Sequence, residues 1–348
     1  MRAWMLERTG PPEVLRLVTV ASPEPGPGQV AVEVEAIGIN YAEVLSRRGL
    51  YGWAPRRPYV PGMEATGTIA ALGEGVHGRE IGERVVVGTQ HGAYAERLVV
   101  PARRALPAID GFSVEENAAF GVNFMTAWVA LMEMARLRPT DRVGITAAAG
   151  GVGTAAVQIA SAYGCRVVGM AGSDAKLHLI RELGAEAGVN YRRPDFERRL
   201  AEVAPDGALD VVLEVVGGDV YRACQALLAN FGRIVVAGYA GLDYSLWNPL
   251  SWWRAWRGAP RMNVSDSAVA STGVLATHIG YLLPDEERLL SVWGALTAFA
   301  TGHGLRPVVG STFDFADLPA AHRLMESRDS VGKLVVRLEG ARPASLSL

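Results

Sequence analysis

Two hydrophobic rhythms divide this chain. Up to about residue 115, apolar residues recur at alternate positions or in short runs. Val30-Ala31-Val32-Glu33-Val34-Glu35-Ala36 alternates apolar with polar, the period of a strand with one buried face. Further strands are predicted at 67–72, 84–87 and 93–99, with Pro and Gly between them, as in Pro23-Glu24-Pro25-Gly26-Pro27-Gly28. This half reads as a small, barrel-like antiparallel domain. Ser113-Val114-Glu115-Glu116 is a capping box that opens a helix. From there to about residue 300 strands and helices alternate. Strands are predicted at 142–146, 166–171, 210–215, 233–237 and 272–276, and helices near 175–183, 195–204, 218–229 and 285–302. Such alternation implies a parallel, doubly wound α/β sheet. Strand character returns at 307–313 and 333–338. The expected organisation is therefore a β-rich domain over 1–118, rejoined by about 304–348, and an α/β domain over 119–303.

One junction in this pattern carries chemistry. The strand at 142–146 runs into Ala147-Ala148-Ala149-Gly150-Gly151-Val152-Gly153, and a helix-like run, Thr154-Ala155-Ala156-Val157-Gln158-Ile159-Ala160, follows. A strand, a glycine turn and a helix N-terminus together bind a dinucleotide pyrophosphate. Small residues let backbone approach the phosphates, and the helix start offers N–H groups and a positive dipole end. In G-x-G-x-x-G register Ala148 takes the first place, and Gly150 and Gly153 the other two.

The next strand ends at Gly172-Ser173-Asp174-Ala175-Lys176. At this point of a Rossmann unit an acid selects NAD and a cation accommodates a 2′-phosphate. Of 34 Lys and Arg residues only Lys176 and Lys333 are lysine. Gly172, Ser173 and Lys176 point to NADPH. Asp174 is the residue that would favour NAD instead. The same residues also suit a helix start: Ser173 as cap, Asp174 on the dipole and Lys176 in solvent.

Composition narrows the class. The chain has 348 residues, 49% hydrophobic and 20% charged, with net charge −2, which suits a soluble protein of about two domains. No basic stripe argues for nucleic acid. No apolar stretch approaches a membrane span, and Met1 to Glu7 lacks the apolar core of a signal peptide. Cytoplasmic placement is the expectation. Two cysteines, Cys165 and Cys224, make neither a disulfide framework nor a four-cysteine zinc lobe.

Several ordered segments extend the pattern: Asn40-Tyr41-Ala42-Glu43-Val44 with Gly49-Leu50-Tyr51; Pro61-Gly62-Met63-Glu64-Ala65-Thr66-Gly67; Val122-Asn123-Phe124-Met125-Thr126-Ala127; Leu183-Gly184-Ala185 with Asn190-Tyr191; and Val331-Gly332-Lys333. With the glycine turn they resemble the zinc-free quinone oxidoreductase branch of the medium-chain dehydrogenase/reductase superfamily. Within it, Val122-Asn123-Phe124 and a later Trp-rich segment are similar to homologues of the vesicle amine transport protein. The resemblance implies a GroES-like domain beside the Rossmann domain, and hydride delivered by NADPH to a quinone or an α,β-unsaturated carbonyl. It puts the pyrophosphate on Gly150, Gly151 and Val152, and the 2′-phosphate on Gly172, Ser173, Lys176 and Tyr191. Asn40, Thr126, Gly238-Tyr239, His278 and Lys333 fall at cofactor positions, and Asn40 and Tyr51 are the catalytic candidates. Tyr191 reads equally as a strand-end aromatic covering core, and His278 and Tyr51 as packing residues.

Zinc relatives carry an early Cys and then Gly-His-Glu. This chain has Gly38-Ile39-Asn40 and Gly62-Met63-Glu64, so no metal is expected. It also has Glu43 where the family often has Asp, and Leu45 where it often has Tyr. The second departure weakens any assignment of a phenolic proton donor. Trp247, Trp252, Trp253 and Trp256 crowd into ten residues with Arg254, Arg257 and Arg261 nearby. They read as a bulky substrate pocket, a subunit interface, a membrane-surface contact or core. A homodimer is expected, pairing Rossmann sheets edge to edge near 272–276. Competing functions are a low-turnover NADPH-binding protein that acts through partners or membranes, and an enoyl reductase on acyl thioesters.

Overall fold

The structure, a computed structural model, describes residues 1–238, 253, 257–259 and 261–338. It divides into two compact units. One comprises 1–122, 280–293 and 306 onward; the other comprises 123–279 and 294–305.

The first unit opens with an antiparallel pair, β1 (Arg2–Leu6) and β2 (Leu15–Thr19). The long β3 (Gln29–Ile39) leads into α1 (Tyr41–Arg48), and β4 (Glu64–Leu72), β5 (Arg84–Gly88), β6 (Arg97–Pro101) and β7 (Ala105–Pro107) follow. The predicted strand at 93–99 starts late for a reason. Ala93 and Tyr94 give their N–H groups to Gly62 and Pro61 carbonyls, so they leave the ladder, and Tyr94 is fully buried. Helix α2 (Val114–Trp128) carries the predicted capping box: Ser113 N–H donates to Glu116, and Glu116 N–H to Ser113 Oγ.

The second unit is built on β8 (Arg142–Ile145), α3 (Gly151–Ala162), β9 (Arg166–Ala171), α4 (Asp174–Glu182), β10 (Ala187–Asn190), α5 (Phe196–Val203), β11 (Leu209–Glu214), α6 (Gly218–Ala226), β12 (Leu228–Val236), α7 (Val264–Ala270) and β13 (Gly273–Ala276). Among the described residues its strands form one parallel sheet in the order β10-β9-β8-β11-β12-β13. Val211-Val212-Leu213 and Ile234-Val235-Val236 are buried, as strands covered on both faces require. Asp210 accepts from Arg142 N, Nε and Nη2 at 2.8–2.9 Å, which ties the start of β8 to β11. Those bonds hold the Asp210 carboxyl below its usual range. The predicted helix at 218–229 stops at Ala226, because Leu228 already pairs as β12 beside Leu209.

After α8 (Glu286–Gly302) the chain returns to the first unit as β14 (Val309–Asp314), α9 (Leu318–Ser327) and β15 (Lys333–Arg337). β15 pairs antiparallel with β3, Leu334 opposite Ile39, and β3 pairs with β4, Ile37 opposite Ala65. One step further along each ladder, Lys333 faces Asn40 and Glu64 faces Gly38. Three strands thereby gather Asn40, Glu64 and Lys333 at one end of the sheet. Val32, Ile37, Ile69, Val85, Phe315, Leu318 and Leu334 form the core beneath. No described helix is long and apolar enough to cross a membrane.

Candidate functional site

In the second unit the glycine turn is held tightly. Ala147 sits at φ 46°, the left-handed region that is costly for a residue with a Cβ. Gly150 N–H closes the turn on Ala147 O at 2.8 Å. A β-carbon on Gly153 would lie 2.2 Å from that same oxygen, and one on Gly151 would lie 2.3 Å from Asn123 Nδ2. Gly153 therefore requires glycine, and a larger residue at 151 would have to displace the Asn123 amide. Gly150 is the N-cap of α3, so the first N–H groups of that helix, at Gly151, Val152 and Gly153, face outward from its end without intrahelical acceptors. A helix start opened by small residues in this way is the geometry that suits a phosphate. Asn123 lies close against this turn, since the position of a Gly151 β-carbon falls on its side chain, a contact that the glycine pattern did not reveal.

The end of β9 collects polar groups. A β-carbon on Gly172 would meet Arg192 Nε at 3.1 Å and Tyr191 Oη at 3.2 Å, so the guanidinium and the phenol converge over Gly172. Ser173 is the N-cap of α4, yet its hydroxyl makes no capping bond, so the capping role expected of it is not made. Lys176 is half-buried on the first turn of α4. Asp174 accepts from Asn190 Nδ2 at 2.9 Å and pairs with Arg193. The hydrogen bond from Arg193, then that from Asn190, holds its carboxyl below the usual range. Tyr191 also meets Phe196 edge to face, at 6.5 Å between ring centres. Its ring therefore packs as a strand-end aromatic, while its hydroxyl lies close to Gly172. Arg192 and Arg193 were not among the residues singled out from the sequence.

Other expected positions fall nearby along the chain. Glu214, at the end of β11, is fully buried. Its carboxylate accepts from Val216 N at 2.8 Å, Gly217 N at 2.9 Å and Thr146 Oγ1 at 3.2 Å, and so pins the loop after β11 to the end of β8. Burial raises its pKa against those donors. Gly238 follows β12, and His278 follows β13 with its pKa lowered by partial burial. Thr126 is buried on α2. Tyr239, Trp247, Trp252 and Trp256 lie outside the described residues. Trp253 is half exposed, with the Arg257 guanidinium 4.8 Å from its ring centre.

The first unit holds a buried charge network. Lys333 Nζ donates to Asn40 Oδ1 at 2.6 Å and pairs with Glu64. Glu64 also accepts from Val122 N at 2.8 Å. The Glu43 carboxylate accepts from Asn40 N at 2.8 Å, Met63 N at 2.7 Å and Tyr94 Oη at 2.5 Å. Burial pushes the Glu43 pKa up, and these donors oppose the rise. Gly62, at φ 100°, makes room for Tyr94: a β-carbon there would lie 2.5 Å from the Tyr94 ring and backbone. Tyr51, in the loop after α1, is half-buried, and desolvation and then the Glu43 charge push its phenol up. The sequence thus located Asn40 and Lys333, and the strand register joins them. Tyr94 and His322, which complete the network, were missed. Their signal was only an aromatic in a predicted strand and a histidine on a helix that the pattern did not resolve.

This pairing of a GroES-like β unit with a parallel sheet bearing a dinucleotide turn defines a medium-chain dehydrogenase/reductase. The alcohol dehydrogenase GroES-like domain matches residues 26–110 and the zinc-binding dehydrogenase domain matches residues 151–266. The rat synaptic vesicle membrane protein VAT-1 homolog is 32% identical over 90% of this chain and 78% of its own length. The rat quinone oxidoreductase is 30% identical over 97% of this chain and 98% of its own. The quinone oxidoreductase of Thermus thermophilus, solved alone and with NADPH, superposes with a TM-score of 0.79 at 37% identity, over 97% of this chain and all of that one. The chain belongs to the zinc-free quinone oxidoreductase branch of that superfamily.

The name of the second matching domain raises zinc, and the residues do not fit it. Among the described residues no three His, Cys, Asp or Glu side chains gather as ligands. Met63 is a poor ligand beside His, and Glu64 already holds the Lys333 ammonium, whose charge opposes a dication.

Proposed function

We propose that this protein is an NADPH-dependent oxidoreductase that reduces a quinone or an α,β-unsaturated carbonyl without a metal ion. One observation carries the cofactor choice. Arg192 and Tyr191 converge over Gly172 while Asp174 is bound to Arg193 and Asn190. A carboxylate held in this way is a poor partner for a ribose hydroxyl, and the neighbouring cations suit a 2′-phosphate. The solved relatives with NADPH support the reading.

When bound, NADPH supplies the hydride. Gly150, Gly151 and Val152 hold the pyrophosphate, and Gly172, Ser173, Lys176, Tyr191 and Arg192 the 2′-phosphate. Asn40, held by Lys333, meets the nicotinamide end, with Thr126, Gly238, Tyr239 and His278 at further cofactor positions. Tyr51 donates a hydrogen bond to the acceptor oxygen. Its raised pKa keeps its proton in place, so the product takes its proton from water. Positioning and exclusion of water then account for most of the rate. The active form is a homodimer paired along β13, which lies at an edge of the described sheet.

The test is NADPH oxidation followed by the loss of its near-ultraviolet absorbance with benzoquinones, naphthoquinones, alkenals and a crotonyl thioester, with and without chelator. Turnover with quinones or alkenals that survives the chelator is expected. Binding without turnover would leave a low-turnover NADPH-binding protein, and turnover on the thioester alone an enoyl reductase. Activity lost to chelator and restored by zinc would overturn the metal-free claim. Light scattering that reports a monomer at micromolar concentration would overturn the dimer.

A further inference from the structure

The buried network extends beyond the residues that this function uses. His322, on α9, is fully buried. Its Nε2 lies 2.9 Å from Tyr94 Oη, and the two rings meet edge to face at 5.8 Å. Its Nδ1 has no partner among the described residues. As packing, this is an expensive choice. A buried polar atom left unpaired costs stability, and an apolar side chain of the same shape would fill the space without that cost. Three separated segments (α9, the loop before β6, and α1) contribute one polar residue each, and the three bond in series.

The chemistry of the donors fixes the direction of the series. A carboxylate only accepts, so Tyr94 gives its hydroxyl proton to Glu43. The Tyr94 oxygen is then left to accept, and His322 must present Nε2–H. Burial, reinforced by the Arg47 charge, depresses the His322 pKa to about 3, so the ring is neutral at physiological pH and Nδ1 carries a lone pair. Glu43 in turn takes Asn40 N and Tyr94 Oη on Oε2, and Met63 N and Asn40 Nδ2 on Oε1. Asn40 Nδ2 has its other acceptor in Gly38 O at 3.3 Å. Lys333, which can only donate, fixes the amide oxygen on its own side. Both amide hydrogens of Asn40 are committed, and one lone pair of Oδ1 remains to accept from a ligand N–H.

We infer that Tyr94 and His322 are positioning residues, which, through the Glu43 carboxylate, fix the orientation of the Asn40 amide. The inference rests on the proposed assignment of Asn40 to the nicotinamide end of the cofactor. Neither residue touches substrate. Each removes a way for Glu43, and therefore Asn40, to turn. A small misplacement at a reacting centre can cost on the order of a hundredfold in rate, so a modest loosening should be visible.

The experiment uses the full-length protein and NADPH itself. Tyr94→Phe, His322→Phe, His322→Gln and Asn40→Ala are compared for kcat, for NADPH Kd, for the emission of bound NADPH and for urea midpoint. Tyr94→Phe and His322→Phe are expected to lower kcat about tenfold or more, with Kd changed less than about threefold. They should move the emission in the direction that Asn40→Ala moves it. His322→Gln can offer an amide N–H to the Tyr94 oxygen and is expected to recover most of the rate. The double variant should be no slower than Tyr94→Phe, because both act on one path. If Asn40→Ala alters emission and rate while Tyr94→Phe leaves both unchanged, the inference fails and the proposed function stands. If Asn40→Ala alters neither, the placement of Asn40 at the nicotinamide fails and the inference with it, while the turnover itself still upholds the reductase function. Should His322→Phe not fold, Tyr94→Phe, which removes a single oxygen, together with the glutamine variant still decides.

Discussion

Two candidate regions, one in each unit, use the same residue types in opposite surroundings. At the end of β3, β4 and β15, the charges of Glu43, Glu64 and Lys333 are within 2% of full burial, and each hydrogen-bonds to at least two partners. At the end of β9, Asp174, Arg192 and Arg193 are exposed, and Asp174 pairs with Arg193 at the surface. In the first region removing one partner strands a charge in low dielectric, so geometry and stability are coupled. In the second, water screens the same loss, and the effect would pass instead to the phosphate proposed to bind there. The buried region should therefore respond to substitution through the fold, and the exposed region through cofactor discrimination.

The largest effect should come from Lys333→Met. It leaves the Glu64 carboxylate buried without its cation, a loss of about 3–5 kcal/mol in urea unfolding. Lys333→Met with Glu64→Gln should recover much of this, because neither charge then remains. A single variant as stable as the parent would show that the pair is not held as described, and the contrast between the regions would dissolve.

Next in size is a pH effect in the same region. His322 titrates near 6.5 when unfolded and near 3 when folded. A base with a depressed folded pKa binds its proton in the unfolded chain first, so stability falls as pH falls from 6.5 toward 3. The slope is at most about 1.4 kcal/mol per pH unit from this group. His322→Gln should remove that portion, and the parent and variant curves should converge as pH falls through this window. Parallel curves across this range would mean that the ring is protonated in the fold.

Much of this architecture was legible from period and spacing, and the reasons are local. Strand β9 was located to the residue because Arg166 to Ala171 is an apolar run closed by glycine. The α/β alternation follows from the same rule. The glycine turn was legible because a strand, a glycine run and a helix start follow one another in sequence, although glycine runs also make ordinary tight turns. The network around Asn40 was half legible. Asn40 and Lys333 are 293 residues apart and meet only through the register of β15 on β3, which no local pattern encodes. Tyr94 gave a misleading signal, since an aromatic in an alternating run reads as strand. His322 gave almost none, for its meaning lies in a partner on another segment. Arg192 and Arg193 were invisible because exposed arginines are common in this chain.

In the exposed region, Lys176→Ala should weaken NADPH binding by about 1–3 kcal/mol, the scale of a charge-assisted contact. Arg192→Ala should act in the same direction. Neither should change NADH binding or the urea midpoint appreciably. Calorimetric titration with both cofactors, at two salt concentrations, separates this from a general loss of structure. Equal losses for NADH and NADPH would remove the 2′-phosphate from this edge and return Lys176 to the role of a solvated helix residue.

The smallest effect, and the sharpest on the comparison, is expected from Asp174→Asn. In the fold its carboxylate is bound by Arg193 and Asn190, which holds its pKa down. A depressed carboxylate contributes stability above its unfolded pKa and loses it as pH falls through the folded value. This one is fully exposed, so the urea midpoint at neutral pH should not move measurably. The substitution also deletes a negative charge beside the proposed phosphate position and releases Arg193. NADPH binding should tighten by about twofold or less, and the gain should shrink as salt rises. NADH binding should stay as it was, since the ribose hydroxyl has no claim on a carboxylate already committed to Arg193. A tenfold loss of NADH binding would show that Asp174 turns to the ribose when the cofactor arrives. The exposed edge would then resemble the buried network, with its charges set by a ligand as firmly as Glu64 is set by Lys333.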